Sequence, residues 1–301
     1  MADDAVDGRH VVVVGAGVMG RGIAYVAAVG GATVTLVDVE PEQLTAAVAT
    51  IARDLDAGVA RGRVDAATAL RAREAIASTS DLEIACASAD LVIEAVVERM
   101  DVKQEVFRRT EQSAPGHAVI ATNTSALSVT QISSVLADPS RGVGMHFFNP
   151  VPKMRLCELV WGDATSVATM DAADAAARAM GKTTVRVRDV AGFATSRLNA
   201  LLGNEGLRML EERVANAEDI DTAARLGLNH PMGPLEMADL VGLDVRLAVL
   251  EYLAGELGDR FAPTDVHRRL VAEGRLGRKT GRGVYAYDDD GQRTDAPSDL
   301  P

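Results

Sequence analysis

The sequence predicts an α/β protein, with a Rossmann-type doubly wound sheet followed by a second, all-helical C-terminal domain. Through residues 1–189, short Val- and Ile-rich runs alternate with amphipathic stretches, which is typical of βαβ units with parallel strands. From 190 to 287 the apolar residues recur at helical spacing, without a convincing strand pattern. The domain boundary therefore falls near Asp189–Gly192, and the acidic, proline-bearing tail 288–301 is expected to be disordered.

The predicted elements follow from apolar periodicity. Strands are expected at His10–Val14, Thr33–Val37, Leu91–Glu94, Ala118–Thr122, Val143–His146, Leu156–Val160 and Thr184–Val187. Residues 41–77 show helical spacing without a strand, and we expect a helical excursion there with a break near Gly58 to Gly62. In the second domain, helices are expected at Phe193–Val214, Glu218–Leu226, Leu235–Leu257 and Thr264–Glu273.

Composition limits the classes of function. The chain has 301 residues, 48% of them hydrophobic, and a net charge of −12, which argues against a nucleic-acid partner. Its length makes disulfides and a structural metal unnecessary, and its two cysteines, Cys86 and Cys157, indicate a reducing compartment. The longest apolar runs are shorter than the roughly 20 residues of a membrane span, and Met1–Gly8 is not a signal peptide. We expect a cytoplasmic protein with no membrane partner.

A glycine motif follows the first strand. Gly15-Ala16-Gly17-Val18-Met19-Gly20 comes directly after Val11–Val14 and opens a helix, which is the context of a dinucleotide-binding turn. Gly15 permits the tight turn, Gly17 lets the backbone approach a pyrophosphate, and Gly20 lets the helix pack close to the sheet. The same pattern also occurs in glycine-rich turns of unrelated α/β proteins.

An acidic residue ends the second strand. Asp38 lies about twenty residues after the glycine motif, where a carboxylate accepts hydrogen bonds from the adenosine ribose and repels a 2′-phosphate. Because strand, helix and acid occur in the expected order, the sequence predicts an NAD site rather than an NADP site.

Further polar residues fall where strands of this sheet end. Asn123 and Ser125 follow one buried strand, His146 ends another, and Glu158 lies within the apolar run 156–160. Burying a carboxylate alone is costly, so Glu158 needs a partner. A histidine oriented by a carboxylate can take the proton of an alcohol during hydride transfer. A core histidine and a structural ion pair remain the alternative interpretation.

These segments together resemble the L-3-hydroxyacyl-CoA dehydrogenases, in particular the short-chain 3-hydroxybutyryl-CoA type. The resemblance extends from His10 to about Tyr287 and rests on the segments Val14–Gly20, Leu91–Glu98, Asn123–Leu127, Met145–Pro152, Leu156–Val160, Asn229–Glu236 and Leu276–Tyr285. It implies an (S)-3-hydroxyacyl thioester substrate, NAD as cofactor, and a homodimer formed through the helical domain.

The resemblance also implies roles for single residues. His146 would be the general base, Glu158 its orienting partner, and Ser125 the donor of a hydrogen bond to the 3-oxygen of the substrate. Cofactor contacts are implied for the glycine motif with Val18 and Met19, and for Asp38, Ala95, Glu98, Lys103, Asn123 and Ser125. Substrate contacts are implied for Asn149 and for the basic residues Arg61 and Arg63, which can also be read as a solvated helix face. No metal ligands are implied.

One departure from the family pattern concerns the catalytic hydrogen-bond network. The family usually has an Asn-Arg pair after the glycine and phenylalanine at 192–193, whereas this chain has Ser196 and Arg197. A serine hydroxyl is shorter than an amide and offers one donor in place of two. Ser196 is therefore a candidate catalytic residue whose effect falls on the acyl preference.

Other functions fit part of the same pattern. The same chemistry on an acyl group carried by an acyl carrier protein would need a docking patch rather than a nucleotide site. A sugar-acid dehydrogenase of the wider family fits the Asn229–Glu236 segment less well. A non-catalytic NAD-binding protein is the alternative from a different class, and the presence of Ser125, His146 and Glu158 argues against it.

Overall fold

The structure, a computed structural model, describes residues 8–294 and divides into two compact units, one ending at Val190 and the next beginning at Ala191. The first unit contains one eight-stranded sheet. Its strands are β1 (His10–Val14), β2 (Thr33–Val37), β3 (Ile76–Thr79), β4 (Leu91–Glu94), β5 (Val119–Thr122), β6 (Gly142–Phe147), β7 (Leu156–Trp161) and β8 (Thr183–Arg188). No described helix is long and apolar enough to cross a membrane.

The strand order is β3-β2-β1-β4-β5-β6-β7-β8, and every neighbouring pair is parallel except β6 and β7. The order reverses direction between β1 and β4, which is where open α/β sheets place their ligands, beyond the carboxyl ends of the strands. All residues of β4, β5 and β6 are buried, as expected for parallel strands covered on both faces. The predicted Rossmann-type, doubly wound sheet is confirmed.

Helices cover the sheet of the first unit. They are α1 (Val18–Val29), α2 (Pro41–Ala60), α3 (Ala66–Glu74), α4 (Leu82–Cys86), α5 (Met100–Ser113), α6 (Val129–Ser133) and α7 (Val167–Ala179). The largest cluster of buried apolar side chains joins α1, α2 and α7 to β1, β2 and β6, and includes the fully buried Ile23, Leu36 and Met145. Both cysteines are free and buried, and burial raises the pKa of the Cys86 thiol to about 11.

The structure differs from the prediction at the end of the helical excursion. Helices α2 and α3 are separated at Arg61–Asp65, close to the expected break, but β3 begins at Ile76, where no strand was predicted. This strand contains a single large apolar residue and lies at the edge of the sheet, half exposed, so alternation of apolar residues cannot reveal it.

The second unit is helical. Its helices are α8 (Thr195–Glu211), α9 (Ala217–Thr222), α10 (Pro234–Val241), α11 (Leu243–Leu257) and α12 (Asp265–Ala272). The single helix predicted over Leu235–Leu257 is wrong, because Gly242 breaks it with a φ of +104°, a conformation open to glycine.

The sequence predicts disorder over 288–301, and the structure describes only the first part of that segment. Residues 288–294 form a turn, in which Asp288 N donates to Gln292 O at 2.9 Å and Thr294 N donates to Ala286 O at 3.0 Å. These local backbone bonds give the segment a defined path. The rest of the predicted tail, 295–301, lies outside the described residues.

Candidate active site

The chain turns sharply between β1 and α1. Gly15 has a φ of +103°, and a Cβ there would lie 2.6 Å from the carbonyl oxygen of Ala95. A Cβ on Gly20 would lie 1.7 Å from the carbonyl oxygen of Gly15, so the first turn of the helix packs directly on the preceding loop. Both positions therefore require glycine for steric reasons.

Gly17 is different, because a Cβ there would meet nothing within 4 Å. It precedes α1, whose first residues are Val18 and Met19 and whose N-terminus has no capping side chain. Its N–H groups and dipole therefore face a cavity of about 920 Å³, lined among others by Gly15, Gly17, Asp38, Ala95 and Val97. This cradle fits a dinucleotide whose pyrophosphate approaches the helix N-terminus.

Asp38 lies just beyond β2, beside the glycine turn. One carboxylate oxygen accepts a hydrogen bond from Ala16 N at 2.7 Å, and the other accepts one from Glu40 N at 3.1 Å. Asp38, Glu40 and Glu42 line the same cavity, so this end of it is acidic. Three carboxylates here oppose a ribose that carries a 2′-phosphate.

His146 and Glu158 face each other across the antiparallel pair β6–β7. They are register partners, and His146 Nδ1 lies 2.8 Å from Glu158 Oε2. Glu158 has no exposed surface, and the side chain of His146 is 9% exposed. Since a carboxylate can only accept, this bond places a proton on Nδ1.

Asn123 and Ser125 lie in the loop that follows β5. Asn123 Oδ1 accepts a hydrogen bond from Phe147 N at 2.8 Å, which ties this loop to the residue after His146. Ser125 is exposed two residues further on. Because β5 and β6 are parallel neighbours, their carboxyl ends lie side by side. Asn123, Ser125 and His146 therefore lie on the same side of the sheet, near these carboxyl ends.

Glu98 holds this loop in place. Its Oε1 accepts hydrogen bonds from Thr124 Oγ1 at 2.6 Å, Ser125 N at 2.9 Å and Ala126 N at 3.3 Å. Burial alone would raise the pKa of Glu98, but the ammonium of Lys103 and the bonds from Thr124 and Ser125 more than offset burial and lower it. Glu98 is therefore a carboxylate at neutral pH, and its negative charge strengthens the hydrogen bonds that it accepts from the loop.

Two residues of this region were not identified in the sequence. Glu94, 1% exposed at the end of β4, accepts a hydrogen bond from Lys103 Nζ at 2.7 Å. Asp189 accepts bonds from Ser128 Oγ and Thr130 N, both at 2.7 Å, and so holds the far end of the loop. Glu94 carried a signal that could have been used, since it is a carboxylate in an apolar strand, as Glu158 is.

The basic residues lie around a second cavity. Arg61 and Arg63 are exposed and line a space of about 500 Å³ together with Lys153 and Arg155. Lys182 also lines it, although its Nζ donates to the carbonyl oxygens of Val151 at 2.5 Å and Met154 at 2.9 Å.

Two further predicted site residues lie elsewhere in the chain. Asn149 is exposed in the loop after β6, next to Pro150, which borders the second cavity. Ser196 lies in the first turn of α8, in the second unit. Its predicted role in catalysis stays a prediction.

Comparisons with known proteins match both units of the chain to one family. A family model described as 3-hydroxyacyl-CoA dehydrogenase, NAD binding domain, matches residues 10–190, and one described as the C-terminal domain of the same family matches residues 192–287. A probable 3-hydroxybutyryl-CoA dehydrogenase of Bacillus subtilis is 41% identical over 282 residues, covering 93% of this chain and 98% of its own length.

Two other proteins are similarly close. A 3-hydroxyadipyl-CoA dehydrogenase of Escherichia coli is 42% identical over 281 residues, covering 93% of this chain and 59% of that longer protein. The crystal structure of an (S)-3-hydroxybutyryl-CoA dehydrogenase from Ralstonia eutropha superposes with a TM-score of 0.90 at 39% identity, covering 94% of this chain and 100% of that one.

Proposed function

The chain belongs to the 3-hydroxyacyl-CoA dehydrogenase family and is an NAD-dependent oxidoreductase, and we propose that it interconverts short (S)-3-hydroxyacyl-CoA and 3-oxoacyl-CoA esters. The preferred acyl group is the four-carbon one of 3-hydroxybutyryl-CoA and acetoacetyl-CoA. The observation that carries this proposal is the bond between His146 and the fully buried Glu158. This pair lies near the carboxyl end of β6, and the dinucleotide cradle follows the carboxyl end of β1 in the same sheet.

Proton transfer falls to His146. In the oxidative direction, Nε2 takes the proton of the 3-hydroxyl while the carboxylate of Glu158 stabilises the imidazolium that forms. In the reductive direction, the same nitrogen returns the proton to the 3-oxygen. The bound nicotinamide supplies the hydride chemistry at C3 of the substrate. Ser125, held by Glu98, donates a hydrogen bond to the 3-oxygen, where negative charge develops.

The cofactor is held by the glycine turn and by the residues around it. We assign the pyrophosphate to Gly15, Gly17 and the N-terminus of α1 at Val18–Gly20, and the adenosine ribose to Asp38. Glu98, Asn123 and Ser125 lie at the carboxyl ends of the strands and would face the nicotinamide end.

Coenzyme A carries phosphates, which the net charge of −12 would repel without a local basic region. Arg61, Arg63, Lys153 and Arg155 surround the second cavity, and we assign the nucleotide end of coenzyme A to it. A carrier-protein substrate and a non-catalytic NAD-binding role gain no support from the similar proteins.

The test follows NADH absorbance with purified protein and acetoacetyl-CoA, beside NADPH, beside an acetoacetyl carrier protein, and beside the longer, acidic 3-oxoadipyl-CoA. We expect rapid oxidation of NADH with acetoacetyl-CoA and slow reaction in the other three arms. Faster turnover of 3-oxoadipyl-CoA would contradict the four-carbon preference, and turnover of the carrier protein alone would contradict the coenzyme A assignment. No turnover in any arm would contradict the proposed reaction.

The second unit carries apolar residues that the described chain leaves exposed. Leu198 and Leu202 lie one turn apart on α8 and are 61% and 44% exposed, and Val245 on α11 is 47% exposed. Apolar surface of this kind marks an interface, and we propose that it packs against a second copy of the chain. Sedimentation equilibrium should give twice the mass of the chain, and Leu198→Asp should give the single mass.

We also propose a cytoplasmic location, which the two free, buried thiols of Cys86 and Cys157 favour. Cell fractionation should recover the protein with cytoplasmic markers; recovery with an oxidising compartment would contradict this.

A further inference from the structure

Lys103 is an ammonium-bearing side chain that is 1% exposed. Its Nζ lies 2.7 Å from Glu94 Oε1 and 3.1 Å from Glu98 Oε2, so two carboxylates compensate one buried positive charge. A buried charge is tolerated when it is paired in this way. The amine is therefore oriented toward Glu94 and Glu98.

Glu94 is fixed on its other sides. Its Oε2 accepts a hydrogen bond from Thr122 Oγ1 at 2.7 Å, and its Oε1 accepts one from Val96 N at 2.8 Å. Thr122 is the last residue of β5, directly before Asn123. Glu94 thus anchors Lys103 to the carboxyl ends of two neighbouring strands.

Glu98 connects Lys103 to the loop that contains Ser125. Its Oε2 faces Lys103, while its Oε1 accepts the bonds from Thr124, Ser125 and Ala126. A carboxylate accepts such bonds more strongly than a protonated carboxyl does. The position of Ser125 therefore depends on Glu98 staying ionised, and the charge of Lys103 is the largest of the effects that keep the pKa of Glu98 low.

We propose that Lys103 is a positioning residue for Ser125, acting through Glu98, and that Glu94 fixes Lys103 for this task. The inference rests on the proposed function in one respect, the hydrogen bond from Ser125 to the 3-oxygen of the substrate. It differs from the cofactor contact that the family resemblance implies for Lys103.

The test uses Lys103→Met, which keeps the length of the side chain and removes its charge. Burial then acts on Glu98 without a counter-charge, so the pKa of Glu98 should rise. The amide NMR signals of Ser125 and Ala126, both donors to Glu98, should titrate together in the variant and stay constant in the wild type. This reading requires no activity, so its outcome is independent of whether the proposed reaction is correct.

Kinetics provide the second reading, in the direction of acetoacetyl-CoA reduction. The wild-type rate should fall only at high pH, because reduction consumes a proton that a general acid must supply. Lys103→Met should also lose rate at low pH, by about tenfold or more, because protonated Glu98 releases the loop. A bell-shaped profile is therefore expected for the variant alone.

Glu94→Gln is the matched control. The amide oxygen of the new glutamine can still accept the bond from Lys103, so Lys103 stays fixed and charged beside Glu98, and the signals of Ser125 and Ala126 should not titrate. If Lys103→Met does not fold, the double variant Glu94→Gln/Lys103→Met removes a second buried charge and still leaves Glu98 without its partner. Constant amide signals in the variant, or an equal loss of rate at every pH, would overturn the inference. A large loss of NADH affinity with constant amide signals would instead make Lys103 a cofactor contact.

Discussion

Glu158 has no exposed surface, and His146 Nδ1 lies 2.8 Å from one of its oxygens. In Glu158→Gln, the amide oxygen can still accept that bond, but it lacks the charge that stabilises the imidazolium. We expect kcat to fall about 10- to 1,000-fold, with NADH affinity nearly unchanged. Steady-state rates and NADH fluorescence titrations check this.

Asp163→Asn makes the same chemical change at an exposed position just after β7 and serves as the control. A loss of NADH binding in Glu158→Gln as large as the loss in kcat would place Glu158 with the cofactor instead.

Asp38 has two tasks, since it accepts a bond from Ala16 N and lies where the adenosine ribose is assigned. Asp38→Asn retains an acceptor for Ala16 but loses the charge that repels a 2′-phosphate. We expect the ratio of kcat/KM for NADH to that for NADPH to fall by at least about tenfold, mainly through better use of NADPH. An unchanged ratio would remove Asp38 from the ribose site.

At the scale of elements, Gly17 and Gly20 in the turn from β1 to α1 are needed for different reasons, Gly17 for the cofactor and Gly20 for packing. Gly17→Ala adds a methyl group where nothing lies within 4 Å, so the protein should fold with unchanged or slightly raised stability. The methyl group would lie where the pyrophosphate approaches, so NADH affinity should fall about tenfold or more.

Gly20→Ala is the contrasting variant, because its Cβ would lie 1.7 Å from the carbonyl oxygen of Gly15. Thermal unfolding should show a clear loss of stability in this variant alone. Equal stabilities for the two variants would contradict the steric account, and unchanged NADH affinity in Gly17→Ala would contradict the placement of the pyrophosphate.

A carboxylate in α10 links that helix to the end of the described chain. Asp239 is 1% exposed and accepts hydrogen bonds from Val284 N at 2.9 Å and Tyr285 N at 2.8 Å. Burial raises the pKa of Asp239 from 3.8 to about 6, against the opposing effect of these bonds. The folded protein therefore holds this proton more tightly than the unfolded chain does.

The sign of the pH effect follows from this difference. As the pH falls from above 6 toward 4, the folded wild type should gain stability over Asp239→Asn, by at most about 1.4 kcal/mol per pH unit. Urea unfolding of both proteins across this range measures the difference and cancels the other titrating groups. A difference that stays constant, or that grows as the pH rises, would contradict the buried, protonated carboxyl.

The sequence predicts best the strands that are buried along nearly their whole length. Strands such as β1 and β6 are mostly apolar and were located within one or two positions. The edge strand β3 has no such pattern, and the break at Gly242 depends on a single backbone conformation within an otherwise continuous helical pattern. Periodicity records burial, so it does not detect elements that are defined by strand pairing or by one φ angle.

At the scale of the whole molecule, charge is segregated. The net charge is −12, yet Arg61, Arg63 and Lys153 outnumber Asp54 around the second cavity, while Asp38, Glu40 and Glu42 outnumber Arg109 around the first. This separation reconciles an acidic protein with a polyanionic substrate and with a cofactor that lacks a 2′-phosphate.

The site could be predicted only in part. His146 and Glu158 lie within strands and Ser125 in the loop after a strand, so the positions of the strands indicated these residues as candidates, and the family resemblance implied their roles. The roles of Glu94 and Asp189 depend on contacts between residues 9 to 61 positions apart in the chain, which periodicity does not encode.

The most direct test of the central claim is the rate of acetoacetyl-CoA reduction by His146→Gln, measured beside the wild type with NADH affinity determined for both. We predict that kcat falls about 10²- to 10⁴-fold, as expected for loss of the general acid and base, while NADH affinity changes by less than about twofold. Turnover within about tenfold of the wild type would show that His146 is not the residue that moves the proton.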